Sequence, residues 1–198
     1  MLRPALVFCV AALLVWSAIE PFDRLTWWLE IAPILVAAPI LLLSARRFPL
    51  TPLLCVLIAL HAVVLIVGGH WTYARVPFGF WMQDVLGFER NPYDRLGHLF
   101  QGFAPAIIAR ELLLRTSPLR QGGWLRFLVI CSCLALSAVY ELFEWAAAVI
   151  AGSAAIDFLG TQGDLWDTQW DMLLAGMGAA LALLFLSRLH DRQLVRLR

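Results

Sequence analysis

The residues of this chain that could do chemistry fall in three short runs. One reads Asp94-Arg95-Leu96-Gly97-His98-Leu99-Phe100-Gln101, a second Ser137-Ala138-Val139-Tyr140-Glu141-Leu142-Phe143-Glu144, and a third Asp167-Thr168-Gln169-Trp170-Asp171. At helical spacing Asp94, His98 and Gln101 share a face, as do Ser137, Glu141 and Glu144, and as do Asp167 and Asp171. Carboxylates gathered around one imidazole cannot all ionise unless protons are shared or a cation is bound. A single histidine among carboxylates suits Zn²⁺, Mn²⁺ or Mg²⁺ better than a soft metal. His98, Glu144 and Asp171 are therefore the expected catalytic groups, holding a divalent metal or acting as acid and base. Asp94, Gln101, Glu141 and Asp167 would support them or touch substrate at the rim. The competing reading is a polar cluster that only fixes helix register.

The elements carrying these runs are membrane helices. Hydrophobic types make up 62% of the 198 residues and charged types 15%, with a mean hydropathy of +0.80. A soluble domain is nearer half apolar and a quarter charged, so the bilayer has to solvate most of this surface. Six apolar stretches stand out: Pro4–Ile19, Trp27–Leu43, Pro52–Gly69, Arg95–Leu114, Leu125–Ala151 and Thr168–Leu186. The expected fold is all-α, a polytopic transmembrane bundle of about six spans, forming one domain over residues 1–198. The first stretch resembles a signal peptide, but its single Arg3 and the early Pro21 favour a retained helix.

Arginine placement orients the bundle. Arg3, Arg46, Arg47, Arg110, Arg115, Arg120, Arg126, Arg188, Arg192, Arg196 and Arg198 lie at one set of helix ends; Arg24, Arg75, Arg90 and Arg95 lie at the other. Basic ends stay cytoplasmic, which puts both termini inside and the 152–167 loop, with Asp157, Asp164 and Asp167, outside. Counted from the basic ends at 1.5 Å per residue, His98, Glu144 and Asp171 all come out about 25–27 Å deep. Asp94 and Asp167 fall about 6 Å nearer the outer rim and Glu141 about 4 Å deeper in the membrane. The outer segment between Gly69 and Arg95 is aromatic, with Trp71, Tyr73, Phe78, Phe80, Trp81 and Phe88. It reads as an interfacial piece, either a depth anchor or a wall over the site.

Several chemistries are excluded. All fifteen basic residues are arginine, so no Schiff-base or P-loop lysine exists. A net charge of +1 gives no reason to expect nucleic acid. Cys9, Cys55, Cys131 and Cys133 all sit in apolar runs and read as small buried hydrophobes. Among the remaining histidines, His61 reads as a core residue, His70 could join the rim, and His190 should be solvated in a cytoplasmic tail. Gly160-Thr161-Gln162-Gly163-Asp164 reads as a tight turn; its backbone N–H groups could also suit a phosphate oxygen.

Three runs carry a resemblance: Asn91-Pro92-Tyr93-Asp94-Arg95-Leu96-Gly97-His98, Tyr140-Glu141-Leu142-Phe143-Glu144-Trp145, and Gly160-Thr161-Gln162-Gly163-Asp164-Leu165-Trp166-Asp167-Thr168-Gln169-Trp170-Asp171-Met172. They resemble YjdF-type bacterial inner-membrane proteins, which implies an inner-membrane location and a helical fold and supplies no activity. A looser likeness of layout links Asp94/His98, Glu141 or Glu144, and Asp171 to VanZ-like membrane proteins. This chain has Asp-Arg where that pattern has Asp-Lys.

The leading functional expectation is a hydrolase or transferase at the outer face, acting on a lipid-linked or amphipathic substrate. A small proton- or cation-coupled carrier is the alternative; its second polar layer would have to come from Glu111 and Ser137. A non-enzymatic membrane factor with a structural cluster is the third.

Overall fold

The computed structural model describes residues 2–152 and 156–197. Among the described residues eight α-helices follow one another: α1 (Leu2–Ser17), α2 (Arg24–Ser44), α3 (Pro52–Trp71), α4 (Pro77–Leu86), α5 (Tyr93–Thr116), α6 (Gly123–Ala151), α7 (Ile156–Leu159) and α8 (Asp167–Val195), with a 3₁₀ turn at Tyr73–Arg75. Among the described residues there is no strand. The protein is an all-α bundle of about six spans. Helices α2, α3, α6 and α8 are long and apolar enough to cross a membrane. Helix α1 is apolar but has 16 residues. Helix α5 has 24 residues and carries the charges that lower its hydropathy. Helix α4, at 10 residues, is too short to span. Its exposed Phe78, Trp81, Val85 and Leu86 suit a helix lying in the interface.

The order of the long helices brings Ser17, Arg24, Trp71, Tyr93, Ala151 and Asp167 to one end, the aromatic end, and Leu2, Ser44, Pro52, Thr116, Gly123 and Val195 to the other, the arginine end. Outward-facing Val36, Leu43, Val139, Ile150 and Leu184 leave apolar surface for lipid. The buried core joins Leu54 and Leu57 of α3, Ala104 and Ile107 of α5, Val129 and Cys133 of α6, and Ala179 and Ala182 of α8.

Helices α5 and α8 run in the same direction with their backbones in contact. A Cβ on Gly102 would overlap the carbonyl oxygen of Ala175, and one on Gly178 would overlap that of Leu99. The small-residue stripe expected at Ala175, Gly178 and Ala182 is this contact surface, and it admits a close helix approach.

Two expectations are corrected here. Helix α8 continues past Leu186 to Val195, so His190 stays on the bundle side and is fully buried. It is not solvated in a tail. Of the four cysteines only Cys133 is buried; Cys55 and Cys131 are half-buried and Cys9 is exposed. An apolar run in a membrane faces lipid as readily as core, so apolar neighbours do not imply burial. The expected outer loop 152–167 includes residues 153–155, which lie outside the described residues.

Candidate functional site

The close packing of α5 on α8 sets the site. Their parallel course places Asp94 and His98, one turn apart on α5, beside Asp171 on α8. His98 Nε2 lies 3.5 Å from Asp94 Oδ1 and 3.8 Å from Asp171 Oδ2. One donor atom from each of Asp94, His98 and Asp171 falls within 4.8 Å of the others, and all three residues are buried. On the far edge of the ring, Nδ1 is 2.9 Å from Gln101 Oε1 and 3.8 Å from Glu141 Oε1. Gln101 accepts the Nδ1–H, which leaves the Nε2 lone pair pointing at two carboxylates. A bound cation or a second ring proton must relieve that arrangement. An outer partner that fixes the tautomer in this way is the usual companion of a metal-ligating histidine.

The carboxylates are not consumed by the fold. Asp94 Oδ2, Asp171 Oδ1 and Glu141 Oε1 are buried without a hydrogen-bond partner among the described residues. Buried polar atoms left over in this way carry a cost of about 1–3 kcal/mol each. A register device would pair them.

The structure brings together Asp94, His98, Gln101, Glu141 and Asp171 of the expected set. Glu144 is buried on α6, about one turn beyond Glu141, and is not one of the three residues whose donors converge. Asp94, expected in a supporting place at the rim, is instead one of the three whose donors converge. Asp167 is drawn to the rim, where its Oδ1 accepts from Arg90 Nη2. His70 is held elsewhere, with Nδ1 3.0 Å from the Ser17 carbonyl oxygen and its ring 4.3 Å from that of Trp16.

Two residues near His98 were not anticipated. Glu30 of α2 is buried and accepts from the Tyr140 hydroxyl at 3.3 Å. The Tyr140 ring stands edge-on to His98, with centroids 6.3 Å apart. Glu30 carried a signal, since it is the only ionisable residue inside α2 beyond the first turn and a charge within a span is by default a site residue. Tyr73 closes the near side, its ring wedged between Gly68 and Gly97.

A polar cap covers the cluster. Asn91 N–H donates to Gln162 Oε1 at 3.2 Å, and Gln162 Nε2 donates back to the Asn91 carbonyl at 2.9 Å. Arg90 donates to the Thr161 carbonyl and to Asp167, and Arg95 to Asp164 at 2.9 Å. The loop beneath is the expected tight turn, with Asp164 N–H donating to the Thr161 carbonyl at 2.9 Å. Gly160, Gln162 and Gly163 all have positive φ. Gly160 lies over Asp94. The Trp166 backbone N–H, then Arg90 and Arg95, hold the Asp164 carboxyl below the usual carboxylate range.

The chain matches the family model described as "Predicted membrane protein (DUF2238)" over residues 2–192. It is similar to the inner membrane protein YjdF of Escherichia coli (strain K12), with 54% identity over 184 residues that cover 93% of this chain and 88% of that protein. No solved structure matches it. The similarity and the apolar helices together support a multi-pass protein of the inner membrane.

Proposed function

The chain belongs to the predicted membrane protein family DUF2238, and from that premise we propose that it is a metal-dependent hydrolase or transferase of the outer leaflet, acting on a lipid-linked or amphipathic substrate. The observation that carries this reading is the convergence of Asp94, His98 and Asp171 donors within 4.8 Å, with carboxylate oxygens left unpartnered beside them. Asp94, His98 and Asp171 would hold the ion. A divalent ion there would polarise a substrate oxygen or lower the pKa of a water. Gln101 fixes the ring of His98, and Glu141, with a free oxygen 3.8 Å from that ring, is positioned to take or return a proton. Glu144 and Glu30 enlarge the acidic surroundings and strengthen the demand for a cation. The arginine bias supports an orientation with the aromatic end outside and both termini in the cytoplasm.

A carrier would need a second polar layer toward the arginine end. Of the two residues that could have supplied it, Glu111 is engaged by Thr51, Arg115 and His190, and Ser137 is a single buried hydroxyl, which favours the enzyme.

Metal analysis of the detergent-purified protein tests the proposal. We expect wild type to retain one of Zn²⁺, Mn²⁺ or Mg²⁺ stoichiometrically, and His98→Ala and Asp171→Asn to lose it. Equal metal content in all three proteins would refute the site. The orientation is tested separately, in a cysteine-free background. A membrane-impermeant thiol reagent added outside should not label Arg192→Cys.

A further inference from the structure

Positive charge at the aromatic end comes from four arginines, and two of them are accounted for locally. Arg24 Nη1 donates to the Ala18 carbonyl at 2.8 Å, and Arg75 lies 4.2 Å over the Phe22 ring. The other two arginines of that end do something different. Arg90 Nη2 and Arg95 Nη2 both face Asp164 Oδ2, at 3.9 and 2.9 Å. Each also keeps a buried Nε–H with no acceptor among the described residues. Two guanidinium groups thus converge on one anion and retain donors to spare. Arg90 reaches from there to Asp167, one helical turn above Asp171.

We propose that Arg90 and Arg95 form an anion-binding pair above the His98 cluster, that Asp164 fills it as a built-in stand-in, and that the phosphate group of an amphiphile displaces Asp164 when the 160–164 loop lifts. This deepens the enzyme reading and rests on it: it names the substrate class as a phosphate-bearing amphiphile whose head reaches the cluster. Guanidinium forks match phosphate in geometry and charge, and a phosphate offers two of them more acceptor oxygens and more negative charge than a single carboxylate does. The loop is built to be released. It is held by the Asn91–Gln162 amide pair and the two arginines, and Gln162 sits in a left-handed backbone conformation that a non-glycine residue adopts at a cost. Glycines at 160 and 163, both at positive φ, supply the pivot. The apolar part of the ligand has a surface as well. Leu165 and Trp166 leave the same loop fully or largely exposed, and Trp170 lies 5.5 Å beneath the Arg95 guanidinium.

The test titrates the full-length protein, purified in dodecyl maltoside, with dodecyl phosphate, inorganic phosphate and dodecyltrimethylammonium, following tryptophan fluorescence. Dodecyl phosphate should bind saturably and the cationic amphiphile should not. Asp164→Asn removes the internal competitor and should tighten dodecyl phosphate binding by about tenfold; a misfolded variant cannot produce such a gain. Arg95→Gln should weaken it by about tenfold, and Arg95→Lys should recover part of the loss. Inorganic phosphate binding as tightly as dodecyl phosphate would overturn the amphiphile assignment. Unchanged affinity in both Asp164→Asn and Arg95→Gln would overturn the anion pair. Metal content is read on the same samples. Variants that hold metal but show no change in phosphate binding sink this inference alone, whereas a metal-free wild type sinks the enzyme reading.

Discussion

Helices α5 and α8 bury polar clusters at both ends, and the two are built on opposite terms. At the arginine end, Glu111 is fully buried, and its carboxylate accepts from the Thr51 hydroxyl at 2.8 Å, Arg115 at 2.7 Å and His190 Nε2 at 3.0 Å. Arg110 donates to His190 Nδ1 at 2.8 Å, which assigns the ring hydrogen to Nε2, and to Asp191 at 2.6 Å. Charges alternate in sign, and no buried side-chain N or O atom of these residues lacks a partner. At the aromatic end, carboxylates gather around one histidine with three oxygens left over. A complete network specifies a fold; an incomplete one is tolerated where a ligand completes it. Both clusters set a buried histidine among carboxylates, but the arginine end adds Arg110 and Arg115 as donors, so the difference lies in the balance of donors and acceptors.

That contrast predicts unequal responses to mutation. Glu111→Ala strips the partner from Arg115, His190 and the α3 N-terminus, and should destabilise the protein by about 3–5 kcal/mol. Asp171→Asn in metal-free buffer should cost nothing. Thermal unfolding in detergent decides it, and equal losses would erase the distinction. The next effect is metal-linked. Wild type at a hundredfold excess of metal over Kd should gain about 2.7 kcal/mol by mass action, His98→Ala should gain almost none, and Glu111-end variants that still fold should gain as much as wild type. A smaller effect concerns Glu144→Gln, which removes one negative charge from the crowded end. Its metal-free melting temperature should match or exceed wild type while function is lost. Unfolding several degrees earlier with function intact would make the aromatic end structural too.

The smallest effect is a pH response of the cap. Asp164 has a depressed folded-state pKa, so its contribution is complete above the unfolded value near 4 and declines as pH falls through the lower folded value. A spin label at Leu165→Cys should keep constant mobility from pH 8 to pH 5 and loosen only below about pH 4. Loosening between pH 5 and 7 would mean that another group controls the loop.

Much of this could be read in the residues. Long apolar runs define the spans because lipid demands them, and the Ala175–Gly178–Ala182 stripe announces a close helix contact because only small residues permit it. Helical phase correctly grouped Asp94 with His98 and Gln101. Depth counting was less discriminating, because it treats every helix as standing alone at equal tilt. Glu141 rather than Glu144 reaches the ring, at 3.8 Å, because the approach of α6 to α5 decides which turn faces His98. Glu30 escaped attention because no spacing pattern accompanies it; a lone charge on an apolar helix reveals its partners only once α2 is packed. His190 is hidden for a related reason. The polar residues after Leu186 resemble a tail, and only the complementary Glu111 on another helix keeps them in the bundle.

The parallel contact of α5 with α8 has a consequence for biosynthesis. Arg110 and its partner His190 are 80 residues apart, a delay of about 4–16 s at ribosomal speed. During that interval α5 has emerged with Asp94, Arg95, His98, Arg110, Glu111 and Arg115 and has none of its α8 partners. It is also the long helix least suited to enter lipid unaided. Helix α8 is long and apolar enough to cross a membrane, and partitions readily by itself. A helix made later is therefore the one that secures an earlier one in the membrane. A chain ended after Ala151 should leave α5 at the translocon or on the surface, exposed to quality-control proteolysis, and supplying α8 as a separate polypeptide should rescue it.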